Sequence, residues 1–163
     1  MGLKIVFLDL DGVLNSHLFL LARAKQSADG TYDQGPARRN MAHMLDRTAV
    51  LRLNRLLAAT GAQVVISSSW RIPWSCQQIT RWLVRRGFKG DVIGRTPTYG
   101  KGRGNEIRQW LVANGPIDRF VILDDDSDME PLQHRHVKTT WGEGLLDVHV
   151  EQAIRMLASS RDP

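Results

Sequence analysis

Two aspartates near the start of the chain, Asp9 and Asp11, have the clearest capacity for chemistry. They follow residues 5–8, a wholly apolar run that is typical of a strand buried on both faces. Side chains alternate along a strand, so both carboxylates should point to one side, at the end where open α/β sheets bind ligands. Two carboxylates this close repel each other, which indicates a bound cation or a shared proton. The alternative is an ordinary Asp-x-Asp-Gly turn or a calcium loop.

Polar side chains also follow two later apolar runs, at residues 63–66 and 120–123. They are hydroxyl and carboxylate side chains: Ser67, Ser68, Asp124 and Asp125. The carboxyl ends of parallel strands open on one edge of a sheet, so these side chains should lie beside the first two aspartates.

Two basic residues, Lys101 and Arg103, lie between the second and third of these strands, just before a helix start. Carboxylates from two strands can hold Mg²⁺, a hard cation that takes oxygen ligands and is usually completed by phosphate and water. A serine hydroxyl, backbone amides and a basic side chain suit the oxygens of a phosphoryl group. Together the four segments predict a phosphate-transfer site.

Apolar periodicity predicts alternating strands and helices along the chain. Strands are expected at 5–8, 63–66, 91–94, 120–123 and 136–140, and helices from about 47, 76, 104 and 148. This alternation predicts an α/β fold, a three-layer Rossmann-like parallel sheet with helices on both faces. Residues 17–40 show no clean period and are expected to form a loop. We therefore predict a single domain over 1–163 with a short flap or insert at about 15–45.

Composition limits the classes of protein that the chain can represent. Its 163 residues suit one domain with a proper core. The first apolar run begins almost at Met1 and no run approaches membrane-spanning length, so neither a signal peptide nor a membrane partner is expected. Cys76 is the only cysteine, which excludes an internal disulfide and favours a cytoplasmic location.

The motifs resemble those of the haloacid dehalogenase (HAD) superfamily of phosphohydrolases. The resemblance spans residues 3 to about 128 and includes Asp9-Leu-Asp-Gly-Val, a serine after an apolar strand, a basic residue before a helix, and Ile-Leu-Asp-Asp. More narrowly, Ser67-Ser-Ser-Trp-Arg, Arg103-Gly-Asn-Glu-Ile and Gly144-Leu are similar to the small HAD domains of the so-called Swiss-army-knife RNA-repair proteins. The resemblance implies a HAD-like fold with a minimal cap.

The same resemblance implies a role for each motif residue. Asp9 is expected to be the nucleophile that forms an aspartyl-phosphate, and Asp11 the general acid and base. Ser67 is expected to bind a phosphoryl oxygen, with Ser68 as the alternative. Arg103 is expected to neutralise charge on the phosphoryl group, with Lys101 as the alternative because many relatives carry lysine there.

Four aspartates are expected to surround the metal ion. The resemblance implies Mg²⁺ held by Asp9, the backbone carbonyl of Asp11, and Asp125, with Asp124 adjacent or sharing the task. Three further acidic residues follow: Asp126, Asp128 and Glu130. They are expected to favour a short helix starting there, through its positive N-terminal dipole.

The substrate depends on what covers the site. Within the superfamily large caps enclose small metabolites, whereas nearly capless members act on macromolecules, so the short insert predicts an open site. Between Arg71 and Arg108 nine Lys or Arg stand against Asp91 and Glu106. Trp70 and Arg71 lie beside the predicted site, where an aromatic ring and a guanidinium would suit bases and backbone phosphates. The expected substrate is a phosphate ester, on nucleic-acid ends, single-stranded or nicked, or on nucleotides.

Other functional classes compete with a phosphatase on nucleic acid. A small-metabolite phosphatase would use the same site. A non-catalytic module that binds nucleic acid or a protein partner could keep the fold, although intact acidic motifs argue against it. A signalling receiver also phosphorylates an aspartate with Mg²⁺. A receiver, however, carries its acceptor at a later strand and its acidic pair after the first, and a lone acceptor in mid-chain is missing here.

Overall fold

The structure, a computed structural model, describes residues 2–26 and 40–158. Within them, strands and helices alternate as the sequence predicts. The strands are β1 (Lys4–Leu8), β2 (Gln63–Ile66), β3 (Val92–Arg95), β4 (Arg119–Asp124) and β5 (His136–Lys138). The α-helices are α1 (His17–Gln26), α2 (Arg47–Thr60), α3 (Cys76–Arg85), α4 (Arg103–Asn114) and α5 (Asp147–Ala158). Short 3₁₀ turns occupy Met41–Met44, Ser69–Arg71 and Gln133–Arg135.

The first strand lies at the centre of a parallel sheet with the order β3-β2-β1-β4-β5. Leu8 pairs with Ile66 on one side and with Leu123 on the other, so the three strands end nearly level. The chain leaves β1 toward β2 but leaves β4 toward β5, which places a topological switch point between β1 and β4. Ligands bind outside the carboxyl ends of strands at such a point.

Apolar side chains fill both faces of the sheet. On one face Leu8 packs in a cluster with Leu53 of α2, Ile79 of α3 and Val150 of α5. On the other face Phe7 lies in a second cluster with residues of α4. Fully burying a side chain of this size contributes about 1.5–3 kcal/mol, so the two clusters hold the strand ends in fixed positions. The prediction of an α/β sheet with helices on both faces is confirmed.

Local capping explains where two of the helices begin and end. Asp46 accepts a hydrogen bond from the Thr48 amide at 2.8 Å, and Gly61 ends α2 in the left-handed conformation with φ 67°. Ser75 and Gln78 form the reciprocal capping box of α3. These contacts satisfy backbone groups that a helix end leaves without partners.

The segment expected to be an irregular loop begins with a helix. Residues 17–26 form α1, whose first amides donate to the carbonyls of Trp141 and Gly142 at 2.8 and 3.1 Å. The helix was missed because its apolar residues do not form a stripe along one buried face. Leu18 and Leu21, for example, are exposed. Residues 27–39 lie outside the described residues, and the flap at about 15–45 stays a prediction.

The expectation of a short helix after β4 was wrong. Residues 125–132 form bends and turns, and the next helical turn is Gln133–Arg135. One of the three acidic residues nevertheless serves a helix N-terminus. Asp128 Oδ2 accepts a hydrogen bond from the Arg103 amide, the first of α4, at 2.9 Å. The negative charge therefore complements the dipole of α4 instead of a helix of its own.

A buried ion pair joins the turn after β2 to α4. Arg71 is 4% exposed and Glu106 is 6% exposed, and Arg71 Nη2 lies 2.5 Å from Glu106 Oε2. The same guanidinium donates to the carbonyls of Ser67 and Ser68 at 2.6 and 2.7 Å. Such a pair contributes little over an apolar replacement, but losing one partner leaves a buried charge unopposed.

We expect Glu106→Gln to lower the free energy of unfolding by about 3 kcal/mol, because Arg71 would remain buried without an anionic partner. Urea unfolding followed by circular dichroism measures the loss. Glu151→Gln is the matched control, since Glu151 is exposed and pairs with Arg55 at 3.3 Å on the surface. That control should cost less than about 1 kcal/mol. If both variants lost the same free energy of unfolding, the buried pair would matter no more for stability than the surface pair.

Candidate active site

The hydrogen-bond ladder continues past the strand ends and sets three polar residues side by side. The Asp9 amide donates to the Leu123 carbonyl at 3.0 Å, and the Ser67 amide donates to the Leu8 carbonyl at 2.9 Å. Asp9 therefore lies between Ser67 and Asp124, the residues that end the neighbouring strands. Carboxylate oxygens of Asp9, Asp124 and Asp125 lie within 4.8 Å of one another. The sequence argument that separated segments meet at one edge agrees with this arrangement.

One guanidinium faces the carboxylates. Arg103 Nη1 lies 3.5 Å from Asp9 Oδ1 and 3.2 Å from Asp124 Oδ2, and it also donates to the Ser67 carbonyl. Arg103 is the first residue of α4, so the helix start aims its side chain at the carboxyl edge of the sheet. Lys101, the alternative cation, is exposed two residues earlier. Of the two basic residues, Arg103 is the one placed among the carboxylates.

Burial makes the negative charge in this cluster costly. It raises the pKa of Asp124 to about 7, with the Asp9 carboxylate adding to the rise and Arg103 opposing it. Burial also raises the pKa of Asp9, against the opposing effect of Arg103. Burial is also the main cause that raises the pKa of Asp125, and the carboxylates of Asp9 and Asp126 raise it further. One arginine therefore does not balance the three carboxylates, and additional positive charge would stabilise their ionised forms.

Among the described residues, the buried oxygens Asp124 Oδ2, Ser67 Oγ and Thr96 Oγ1 at this edge have no hydrogen-bond partner, and the first two belong to the predicted site. Asp124 Oδ2 is close to Arg103 Nη1, but that ion pair does not have hydrogen-bond geometry. Buried polar atoms without a partner are rare in folded proteins and require an explanation. The cluster presents only oxygen ligands, which suits a hard divalent cation, and the Ser67 hydroxyl adds a donor for an anion beside it. These residues could hold a metal ion.

Gly12 allows Asp125 to enter the cluster. Its φ is 70°, a left-handed conformation that favours glycine. A Cβ atom at this position would overlap the Asp125 carboxylate. The Gly12 carbonyl accepts a hydrogen bond from Thr139 Oγ1 at 2.6 Å, which ties this turn to the residue after β5. The turn at Gly12 and the Asp125 carboxylate can therefore pack together only because residue 12 has no side chain.

Asp11 lies apart from the three clustered carboxylates and has its own partners. Trp70 Nε1 donates to Asp11 Oδ2 at 2.9 Å, and Asn15 Nδ2 donates to Asp11 Oδ1 at 2.8 Å. Asn15 Oδ1 in turn accepts from the Gly12 amide at 3.0 Å. Both carboxylate oxygens of Asp11 are thus held by neutral donors, which fixes the direction of its side chain. Sequence analysis did not single out Asn15, although an amide four residues after Asp11 was the available signal.

Two residues expected to contact substrate have internal partners instead. Trp70 is 8% exposed and packs edge-to-face on Trp82 with ring centroids 6.1 Å apart. Arg71 is committed to Glu106 and to backbone carbonyls, as described above. Trp74 also packs on Trp82, at 5.3 Å. Trp70 and Arg71 therefore pack behind the site, and Trp74 is partly buried beside them.

The two candidate serines differ in their surroundings. Ser67 lies in register with Asp9 and has a buried hydroxyl without a partner. Ser68 Oγ accepts a hydrogen bond from the Trp70 amide at 3.3 Å and caps the 3₁₀ turn there. Ser68 also hydrogen bonds to Asp9, an interaction that lowers the Asp9 pKa. The Ser67 hydroxyl therefore has no hydrogen-bond partner among the described residues, whereas Ser68 supports Asp9 and the turn.

Comparison with known protein families gives one match that covers most of the chain. The family model for the HAD domain in Swiss Army Knife RNA repair proteins matches residues 5–150. The chain belongs to this family. The match confirms the suspected membership of the HAD superfamily, and a HAD domain indicates a phosphohydrolase-type function. The chain matches none of the curated proteins with which it was compared. Across residues 2–26 and 40–158, no helix has the length and apolar character needed to cross a membrane.

We expect a divalent cation to stabilise this HAD domain through the carboxylate cluster. At about 100 times its dissociation constant, Mg²⁺ or Mn²⁺ should add about 2.7 kcal/mol, or roughly 5–10 °C in Tm. Asp125→Asn should remove most of that shift. In EDTA the same variant should be at least as stable as the wild type, because one repelling carboxylate is gone.

Thermal unfolding with and without EDTA measures both effects. Asp91→Asn is the matched control, because Asp91 is exposed beside the amino end of β3, away from the cluster. It should keep the full metal-dependent shift. A wild-type Tm that does not respond to any divalent cation would contradict a metal site here.

Proposed function

We propose that this HAD domain is a Mg²⁺-dependent phosphohydrolase that acts through an aspartyl-phosphate on Asp9. The observation that supports this most directly is the division of the acidic residues into two sets. Asp9 lies in a buried cluster with Arg103, while Asp11 is held outside that cluster by neutral donors. A nucleophile and a separate acid and base are what hydrolysis of a phosphate ester through a covalent intermediate requires.

The reaction has two balanced steps. In the first, an Asp9 carboxylate oxygen attacks phosphorus, the bond from phosphorus to the ester oxygen breaks, and Asp11 gives its proton to the departing oxygen. In the second, Asp11 takes a proton from water, the water oxygen attacks phosphorus, and the Asp9 carboxylate is released with inorganic phosphate. Arg103 opposes the negative charge in both steps, and the Ser67 hydroxyl donates to a phosphoryl oxygen.

Asp9, Asp124 and Asp125 would hold the cation, together with the Asp11 backbone carbonyl that the motif implies. Bound there, Mg²⁺ supplies positive charge that keeps the carboxylates ionised and offsets the charge of the phosphoryl group. The oxygen-only ligand set and the unpartnered Asp124 Oδ2 support this choice of ion.

We further propose that the substrate is a phosphorylated nucleic-acid end or a nucleotide. The support is the family, whose description places such HAD domains in RNA repair proteins. A small-metabolite phosphatase remains the competing enzyme. A non-catalytic binding module is a weaker alternative, because it would have no use for crowded, buried carboxylates that are costly to keep charged.

Loss of the nucleophile is the primary test. We expect metal-replete protein to release phosphate from an aryl phosphate, and Asp9→Asn to lower this activity about a thousandfold or more. Asp91→Asn again serves as the matched control and should keep its activity. A panel of 3′-phosphorylated and 5′-phosphorylated oligonucleotides, mononucleotides and sugar phosphates then identifies the substrate. Absence of turnover on the whole panel would leave the binding module as the better account.

Trp70→Phe tests the role of Asp11. The variant keeps an aromatic ring but removes the hydrogen bond that orients Asp11 through Oδ2. Proton donation by Asp11 should then fall most for substrates with a poor leaving group, because their departing oxygen depends most on that proton. We expect kcat/KM to fall about tenfold on alkyl phosphates and less than about threefold on p-nitrophenyl phosphate. Trp110→Phe is the matched control, since Trp110 is equally buried, at 8% exposure, on the other face of the sheet. Equal losses on both substrates would assign Trp70 a structural role alone.

A further inference from the structure

An exposed aromatic residue stands on the segment that leads into the active site. The Tyr99 loop, residues 97–101, follows β3 and ends two residues before Arg103. Tyr99 is 57% exposed, and Lys101 is exposed as well. An aromatic ring this exposed contributes little to the core and presents a face on which a ligand could stack.

The backbone of the Tyr99 loop is fixed although its side chains are exposed. Glu106 Oε1 accepts hydrogen bonds from the Tyr99 and Gly100 amides at 2.8 and 3.3 Å. The other carboxylate oxygen of Glu106 pairs with Arg71. A short loop held in this way presents its side chains in one place, which lowers the entropy lost on binding.

Arg71 also connects the start of the Tyr99 loop to the turn that carries Ser67. Arg71 donates to the carbonyls of Thr96 and Pro97 at 3.2 and 3.3 Å, and to those of Ser67 and Ser68. One guanidinium thus spans the distance between the start of the loop and the serine expected to hold the phosphoryl group. The start of the loop and this serine are therefore held by one side chain.

A groove continues from the loop along α4. It has a volume of about 710 Å³ and lies between Tyr99 and the helix residues Arg108, Gln109 and Val112. Of the described residues that line it, none is acidic, and Arg95 and Arg108 are basic. Glu106, the acidic residue nearest in sequence, is buried and neutralised by Arg71. The charged side chains that line the groove are therefore basic.

We propose that the Tyr99 loop and this groove bind the single-stranded nucleic acid that adjoins the phosphate to be removed. Tyr99 stacks on a base, and Lys101 and Arg108 contact backbone phosphates. An aromatic platform with cations beside a phosphate site is the arrangement that single strands favour, because every base has a face to stack and every linkage a charge. This inference rests on the proposed function for its substrate. It assigns nucleic-acid contact to Tyr99, Lys101 and Arg108 in place of Trp70 and Arg71, the residues that the sequence suggested.

Direct binding tests the surface without turnover. Fluorescence anisotropy would measure the affinity of Asp9→Asn protein for a labelled single-stranded oligonucleotide with a terminal phosphate, as RNA and as DNA. Adding Tyr99→Ala should weaken binding about tenfold, whereas Tyr99→Phe should keep it. Arg108→Ala should weaken binding and make the salt dependence shallower by roughly one phosphate contact. Lys89→Ala is the charge control and should change neither, because Lys89 lies in the groove by Gly2 and Lys4, at the amino end of the strands.

Each outcome bears on one proposal. Unchanged binding in Tyr99→Ala, or an acidic peptide that competes as well as the oligonucleotide, would overturn the assignment of the groove. Turnover of aryl phosphate by the wild type, with no binding of single strands, would overturn the groove and leave the phosphohydrolase standing. Binding that depends on Tyr99, without turnover on any phosphate ester, would support the groove while the proposed enzyme failed.

Discussion

Repulsion among three carboxylates at the carboxyl edge of the sheet is the constraint on which the rest of the structure depends. Asp9 and Asp124 lie at the carboxyl ends of adjacent strands. The apolar residues next to them, Leu8 and Leu123, are fully buried, so the two carboxylates cannot move apart without disturbing the core. Asp125 joins them because Gly12 leaves room. A single arginine offsets only part of this charge. The folding energy of the two apolar clusters therefore maintains a site that attracts a cation.

Neutral donors and one internal ion pair hold the surroundings of this cluster. Arg71 and Glu106 connect the turn after β2, the start of α4 and the Tyr99 loop, so a single buried pair fixes three segments at the carboxyl edge. Trp70 reaches the same edge from the opposite face of the sheet and orients Asp11. Trp70 and Arg71, close to Ser67 in sequence, thus support the site from behind.

The sequence was sufficient to predict the strands and the meeting of their ends, because both follow from short-range rules. Apolar runs reveal buried strands, and parallel strands bring their carboxyl ends together whatever the side chains do. The sequence was not sufficient for α1, which lacks an apolar stripe, or for Trp70 and Arg71. A tryptophan or an arginine next to a serine can face solvent or the core, and only the partners decide. Those partners, Trp82 and Glu106, lie 12 and 35 residues further along the chain.

An aspartate that accepts a phosphoryl group can serve either a phosphatase or a signalling receiver, and the difference lies in what accompanies it. A stable phosphoaspartate needs only the acceptor, a cation and a counter-charge. Rapid hydrolysis also needs a group that delivers a proton to the departing oxygen and then withdraws one from water. Asp11 stands two residues after Asp9 in the turn that follows β1, with both of its oxygens held by Trp70 and Asn15. In the proposed reaction, Asp11 makes the covalent intermediate short-lived by taking the proton from water, and the two hydrogen bonds hold Asp11 in position.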